Sequence, residues 1–246
     1  MTKTRAEGVA WALALRRALE AAAEDGRWDD VQPFVVPPAT AIREVADVLA
    51  ASPAAATVLV GAQDAHWEDG GAWTGELSVP QVADAGARLV ELGHSERREH
   101  FGETDERVRA KVGAVLRHGL VPLVCVGETA QERDRGASTD RVLAQALAAL
   151  DGVDGAERAV VAYEPVWAIG AQGREARPEE VADVVAALAR EVGGRVGAVL
   201  YGGSVTVAGA PGLLDVPGVD GLFVGRTAWD VQGFLRLLDV AATPRG

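Results

Sequence analysis

The stretch VPLVCVGETAQE, residues 121–132, decides the fold class. Its first half is almost unbroken in valine, leucine and cysteine, the composition of a strand covered on both faces. Its second half contains Thr129-Ala130-Gln131-Glu132, a capping box that opens a helix. Just upstream, residues 111–118 have helical spacing, and Gly119 follows as a glycine does past a helix end. A helix therefore feeds a buried strand, which feeds another helix. That is the repeating unit of a parallel sheet with helical crossovers.

The same alternation extends in both directions. Further β-like runs lie at 33–36, 57–61, 88–92, 159–163, 196–201 and 221–224, making seven in all. Ser78-Val79-Pro80-Gln81 is a second capping box with proline in the first turn. No linker or low-complexity tract interrupts the pattern, so residues 1–246 read as a single α/β domain. An open doubly wound sheet and a closed TIM (β/α)8 barrel both fit the alternation. The length of 246 residues favours the barrel, which typically takes about 250. A barrel of this kind needs eight strands. The chain opens directly on a helix, so the first β-strand is the one expected to be missing.

Composition narrows the function classes. A net charge of −12, from 24 basic and 36 acidic residues, argues against a nucleic-acid partner. An anionic substrate would have to be held by local features working against this field. The single Cys125 allows no internal disulfide, and no metal-type cysteine spacing occurs. Arg16, Arg17 and Glu20 interrupt the apolar N-terminal stretch, which is unlike a secretory signal. No run reaches the roughly 18–20 apolar residues of a membrane span. The expectation is a cytoplasmic protein without membrane contact.

In a parallel barrel the chemistry sits at the carboxyl ends of the strands. After the run at 88–92 comes Gly93-His94-Ser95-Glu96-Arg97-Arg98. A histidine at a helix start meets backbone N–H groups, which disfavour imidazolium and leave a neutral donor. A plain surface histidine in a charged loop is the other reading. After 159–163 comes Glu164-Pro165-Val166-Trp167-Ala168-Ile169-Gly170. This is a carboxylate followed by an apolar, glycine-containing connection, as in a base beneath a lid that expels water. An ion-paired strand-terminal glutamate is the alternative. Gly202-Gly203-Ser204 and Gly225-Arg226 follow the last two runs and are read as opening helices. Glycines there let N–H groups approach a phosphate, although strand-to-helix turns use glycine for other reasons too.

Ala72-Trp73-Thr74-Gly75-Glu76, Glu91-Leu92 with the following Gly93 to Arg98, Tyr163 to Gly170, and Tyr201-Gly202-Gly203-Ser204 occur in this order along the whole chain. Together they resemble the signature segments of the triosephosphate isomerase family. The resemblance implies an aldose–ketose isomerase that interconverts dihydroxyacetone phosphate and glyceraldehyde 3-phosphate through an enediolate. It makes Glu164 the base, His94 the electrophile and Glu96 a supporting carboxylate. Pro165, Val166, Trp167, Ala168 and Ile169 would form the lid. Gly170, Gly203, Ser204 and Gly225, with Arg226, would hold the phosphate. Cys125 matches a cysteine the family keeps beside the base, and equally fits a small buried apolar residue. The loop carrying Thr74 would reach toward a second copy of the chain in a homodimer. No metal or organic cofactor is implied.

Several segments depart from the family pattern. Family members open with a strand ending in Asn-x-Lys-Met, and Met1-Thr2-Lys3-Thr4 matches the segment just after that lysine. Lys3 matches a first-turn position of the following helix and is not expected to replace it. Losing such a cation removes stabilisation worth roughly a hundredfold in rate, and an open barrel exposes strand edges. The chain as written is therefore expected to be poorly stable and nearly inactive, with an upstream strand restoring both. Ala171-Gln172-Gly173-Arg174 replaces a usual Thr-Gly-Lys, Arg226 replaces a second glycine, and Gln32 to Pro38 differs from the common second strand. These features resemble a divergent branch that acts on four-carbon erythrulose phosphates. A catalytically impaired barrel that only binds a phosphosugar is the rival of another class.

Overall fold

The computed structural model describes residues 2–170 and 173–244. Ala171 and Gln172, two of the residues that depart from the family pattern, lie outside the described residues. The elements in chain order are α1 (Arg5–Ala22), β1 (Phe34–Val35), α2 (Ile42–Ala50), β2 (Leu59–Ala62), α3 (Val79–Asp84), β3 (Leu89–Leu92), α4 (Ser95–Phe101) and α5 (Asp105–Arg117). They continue with β4 (Val121–Val126), α6 (Ala130–Asp134), α7 (Ser138–Leu150), β5 (Val160–Tyr163), α8 (Pro178–Val192), β6 (Ala198–Tyr201), α9 (Ala210–Leu214), β7 (Gly221–Leu222) and α10 (Val231–Ala242). The strands form one parallel sheet in sequential order, β1 to β7.

The expected helix starts are set by side-chain caps. Ser78 accepts from the Gln81 N–H at 3.4 Å, and its own N–H donates to Gln81 Oε1 at 2.8 Å. Thr129 and Glu132 repeat the arrangement at 3.2 and 2.7 Å. A third box, Thr4 with Glu7, opens α1. Lys3 therefore precedes the cap of α1 instead of lying in its first turn, which corrects the sequence reading. No helix among the described residues is long and apolar enough to cross a membrane.

Apolar residues divide between two layers because side chains alternate across a strand. Val90 and Leu92 of β3 face the helices, packed with residues such as Leu15, Ile42, Leu150 and Leu188. Leu89, Leu123, Cys125, Ala162 and Leu200 face the opposite way into a second cluster, joined by Phe34 and Phe223. Phe34 belongs to β1 and Phe223 directly follows β7, yet their rings stack with centroids 5.9 Å apart. The sheet thus curls until its first and last strands meet through side chains. Among the described residues no hydrogen-bonded ladder joins β1 to β7. Outside, α1 packs on α2 and α10, with Trp11 edge-on to Phe234 at 5.3 Å. Trp28 Nε1 donates to Asp239 at 2.9 Å and ties the end of this layer down. The architecture is the expected TIM barrel, with seven parallel strands among the described residues.

All seven strands fall where the sequence places them, and the outer two are shorter. The runs at 33–36 and 221–224 contract to Phe34–Val35 and Gly221–Leu222, each with a ladder on one side only. Two helix starts are corrected. Gly202 to Ser204 leads into an irregular path, and α9 begins only at Ala210. Gly225-Arg226 enters a short 3-10 turn, Arg226–Trp229, before α10.

Candidate active site

Strands β3 and β5 each lead into a candidate site residue, and their ladders with β4 hold four residue pairs in register. Past β3, Gly93 turns at φ 73°, where a side chain is strained, and delivers His94 as the N-cap of α4. Past β5, the Glu164 N–H donates to Val126 O at 2.7 Å and continues the pairing by one residue. The two side chains meet, with His94 Nε2 3.6 Å from Glu164 Oε1.

The tautomer of His94 follows from its cap. Nδ1 accepts the Glu96 N–H at 3.3 Å, so Nδ1 is bare and the ring hydrogen sits on Nε2, toward Glu164. Burial also disfavours imidazolium, whereas Glu164, Glu91 and Glu96 favour it and together raise the ring's proton affinity above its ordinary value. The geometry of the cap requires the neutral ring. It is the Glu96 backbone, not its carboxylate, that contacts His94, and the Glu96 side chain is exposed.

Glu164 is buried, which lifts its carboxyl above the ordinary range, while His94 and the Cys125 thiol partly offset this. Its Oε2 is buried without a hydrogen-bond partner among the described residues. Such an oxygen is equipped to take a proton from a bound molecule. Cys125 is free and buried beside it, its thiol pushed up first by burial and then by the Glu164 charge. Two glycines shape the pocket around this carboxylate. A Cβ on Gly202 would lie 2.7 Å from Glu164 Cγ, and one on Gly127 would collide with the Glu164 carbonyl.

The segment from Pro165 to Ile169, expected to form a lid, contains a 3-10 turn, Val166–Ala168, with Pro165 and Ala168 buried. Trp167 Nε1 donates to Glu128 Oε1 at 2.7 Å, and the Tyr163 hydroxyl donates to the same oxygen at 3.2 Å. Guanidinium carbons of Arg133 and Arg174 lie 3.8 and 4.8 Å from the Trp167 ring centre, and Glu180 binds both arginines. Sequence reasoning missed Glu128. Its signal was a carboxylate placed right after β4, at the same barrel end as His94 and Glu164.

The Ser204 N–H donates to Ala168 O at 2.8 Å, linking this segment to the turn after β6. Ser204 Oγ accepts from Arg226 at 3.2 Å, so Arg226 points toward this turn and not away as an ordinary helix-start residue. Gly203 is buried, whereas Gly170 (φ 75°), Gly225 and Arg226 are exposed. Thr74 occupies a separate exposed loop, anchored at its base by His66 stacked on Trp67 at 4.0 Å and Trp73 at 4.4 Å.

The chain as a whole is similar to known proteins. The family model for triosephosphate isomerase covers residues 1–241. The chain is 52% identical over 214 residues to the L-erythrulose-1-phosphate isomerase of Mycolicibacterium smegmatis, covering 86% of this chain and 80% of that protein. It is 49% identical over 244 residues to the protein of the same name from Rhizobium etli, covering 97% and 88%. The crystal structure of Bartonella henselae triosephosphate isomerase superposes with a TM-score of 0.81 at 34% identity, covering 94% and 93%. The chain belongs to the triosephosphate isomerase family.

Proposed function

We propose that this isomerase acts on L-erythrulose 1-phosphate, with Glu164 as base and His94 as the neutral electrophile. The observation that carries the chemistry is the pair itself: a buried carboxylate with a free oxygen, 3.6 Å from an imidazole whose hydrogen faces it. The choice of substrate rests on the relatives that carry that name at 52% and 49% identity.

In a four-carbon ketose 1-phosphate the carbonyl is at C2. The C1 oxygen is esterified to phosphate and cannot become a carbonyl oxygen, so only enolisation toward C3, which bears a free hydroxyl, can move the carbonyl. Glu164 therefore takes the proton from C3. The electron pair of that C–H bond becomes the C2–C3 double bond, and the C2 oxygen becomes an enediolate oxygen. His94 donates to it from Nε2 and passes a proton between the two oxygens, and protonated Glu164 returns its proton to C2. The carbonyl moves to C3, giving erythrulose 4-phosphate. Both compounds are ketoses, so aldose–ketose exchange belongs to the three-carbon reading alone. Gly170, Gly203, Ser204, Gly225 and Arg226 would hold the phosphate, and Pro165 to Ile169 would cover it. The Thr74 loop would meet a second copy of the chain, as in a homodimer.

The test is an isomerase assay on L-erythrulose 1-phosphate and dihydroxyacetone phosphate side by side, run on this chain and on the chain extended by an upstream strand ending in lysine. A higher kcat/KM on the four-carbon substrate is expected. Preference for the triose phosphate would return the assignment to the three-carbon reaction. Binding of either compound without turnover would favour the impaired phosphosugar-binding barrel.

A further inference from the structure

Strand β3 places one acid where the barrel interior is otherwise apolar. Leu89 and Glu91 share a parity, and Leu89 packs inward with Leu123, Cys125, Ala162 and Leu200. Glu91 is 9% exposed and pairs in register with Leu123. No hydrogen bond or ion pair to its carboxyl occurs among the described residues. The fold gains nothing from this acid, because burying an unpartnered polar group is unfavourable and an apolar side chain would suit the cluster.

The charged and titratable groups facing Glu91 come from every neighbouring strand end. They are Asp64 after β2, His94 and Glu96 beyond β3, the Cys125 thiol of β4, and Glu164 beyond β5. Burial and the three carboxylates push Glu91 up to about 8, with only His94 opposing, so it is a neutral acid at pH 7. A neutral carboxyl both donates and accepts, the same capacity a hydroxyl has. It also leaves the Glu164 charge undisturbed.

Position supplies the ligand. Under the proposed function the phosphate sits at the turns after β6 and β7, and the reacting carbons lie between His94 and Glu164. The substrate axis then runs across the barrel mouth toward β3. A three-carbon chain ends at the reacting carbons, while a four-carbon chain extends one hydroxymethyl group beyond them. Glu91 lies two residues before Gly93 on the interior face, about 7 Å down the strand, with a side chain long enough to span most of that distance. We propose that Glu91 is a specificity-determining residue whose carboxyl hydrogen-bonds the terminal hydroxyl of a four-carbon ketose phosphate. The inference rests on the four-carbon reading of the site.

The experiment measures kcat/KM for L-erythrulose 1-phosphate and dihydroxyacetone phosphate in the full chain and in Glu91→Val, Glu91→Gln and Glu91→Asp. Glu91→Val is expected to lose on the order of 100-fold on the four-carbon substrate and less than about threefold on the triose, since only the former has a hydroxyl to lose its partner. Glu91→Gln, which keeps a donor and an acceptor, should stay within about tenfold of the parent on both. If Glu91→Val does not fold, the shortened Glu91→Asp must show the same split between substrates. Equal losses on both substrates, or no loss on either, would overturn the role of Glu91 while leaving the substrate assignment intact. A parent protein that turns over only the triose phosphate would instead remove the four-carbon reading, and this inference with it.

Discussion

The centre of the sheet and its two edges are built to different tolerances. Strands β3 to β6 share four-pair ladders, and the buried Cys125 and Glu164 belong to this part together with His94. At the edges, β1 and β7 have two residues each and meet through one aromatic pair, and the turn after β7 leaves Gly225 and Arg226 exposed. On the proposed reading, proton transfer, which fails when groups shift by an ångström, falls on the rigid ladders. The phosphate contacts proposed at the looser edge, backbone N–H groups and a flexible arginine, would tolerate such adjustment.

The largest effect should come from disturbing the centre. Glu164→Asp withdraws the carboxylate by one methylene and should lower kcat on the order of 100-fold with little change in Tm. Gly202→Ala should produce a loss of similar kind, somewhat smaller, by driving a methyl group against Glu164 Cγ. Unchanged turnover in steady-state assays of both would remove Glu164 from the reaction. The edge should respond in the opposite way. Phe223→Ala deletes half of the stack that brings β1 to β7 and should cost about 1–3 kcal/mol, read as a fall of several degrees in Tm. Its kcat should change less than that of the centre variants. A Tm equal to the parent's would mean that the edges are held by α1 alone.

How much of this division was legible in the sequence depended on how each part is stabilised. All seven strands were readable because parallel strands covered on both faces are nearly continuous in apolar residues. The ends of the runs are less legible: the outer two lose two residues each, and so does the run at 196–201, which contracts to Ala198–Tyr201 although it has partners on both sides. Gly202 to Ser204 was read as opening a helix from its glycines alone. The actual path is set by distant groups, with Ser204 bonded to Ala168 and Thr206 to Glu175. His94 and Glu164 stood out by their place after strands. Glu91 did not, although an acid at inward parity within Leu89-Val90-Glu91-Leu92 is the signal that would have found it.

The smallest effect concerns the same acid. Glu91 has its pKa raised from 4.5 to about 8 in the folded chain, so folding takes up a proton between those values. The stability this gives is complete below about pH 4.5 and is lost as pH rises toward 8. Glu91→Gln removes the dependence. Between about pH 5.5 and 6.5 the parent should lose up to about 1.4 kcal/mol more than the variant, measured by chemical denaturation. Identical slopes for the two proteins would place the Glu91 pKa near its ordinary value.

Cys125 has a practical consequence for labelling the Pro165–Ile169 segment and testing whether it closes. It is the only thiol in the chain, and it is enclosed within the barrel with its proton firmly held. Maleimide reagents, which need an exposed thiolate, will leave the folded protein untouched. A cysteine introduced at half-exposed Ile169, whose backbone is extended at φ −113°, could then carry a single fluorophore without first removing a native residue from beside Glu164.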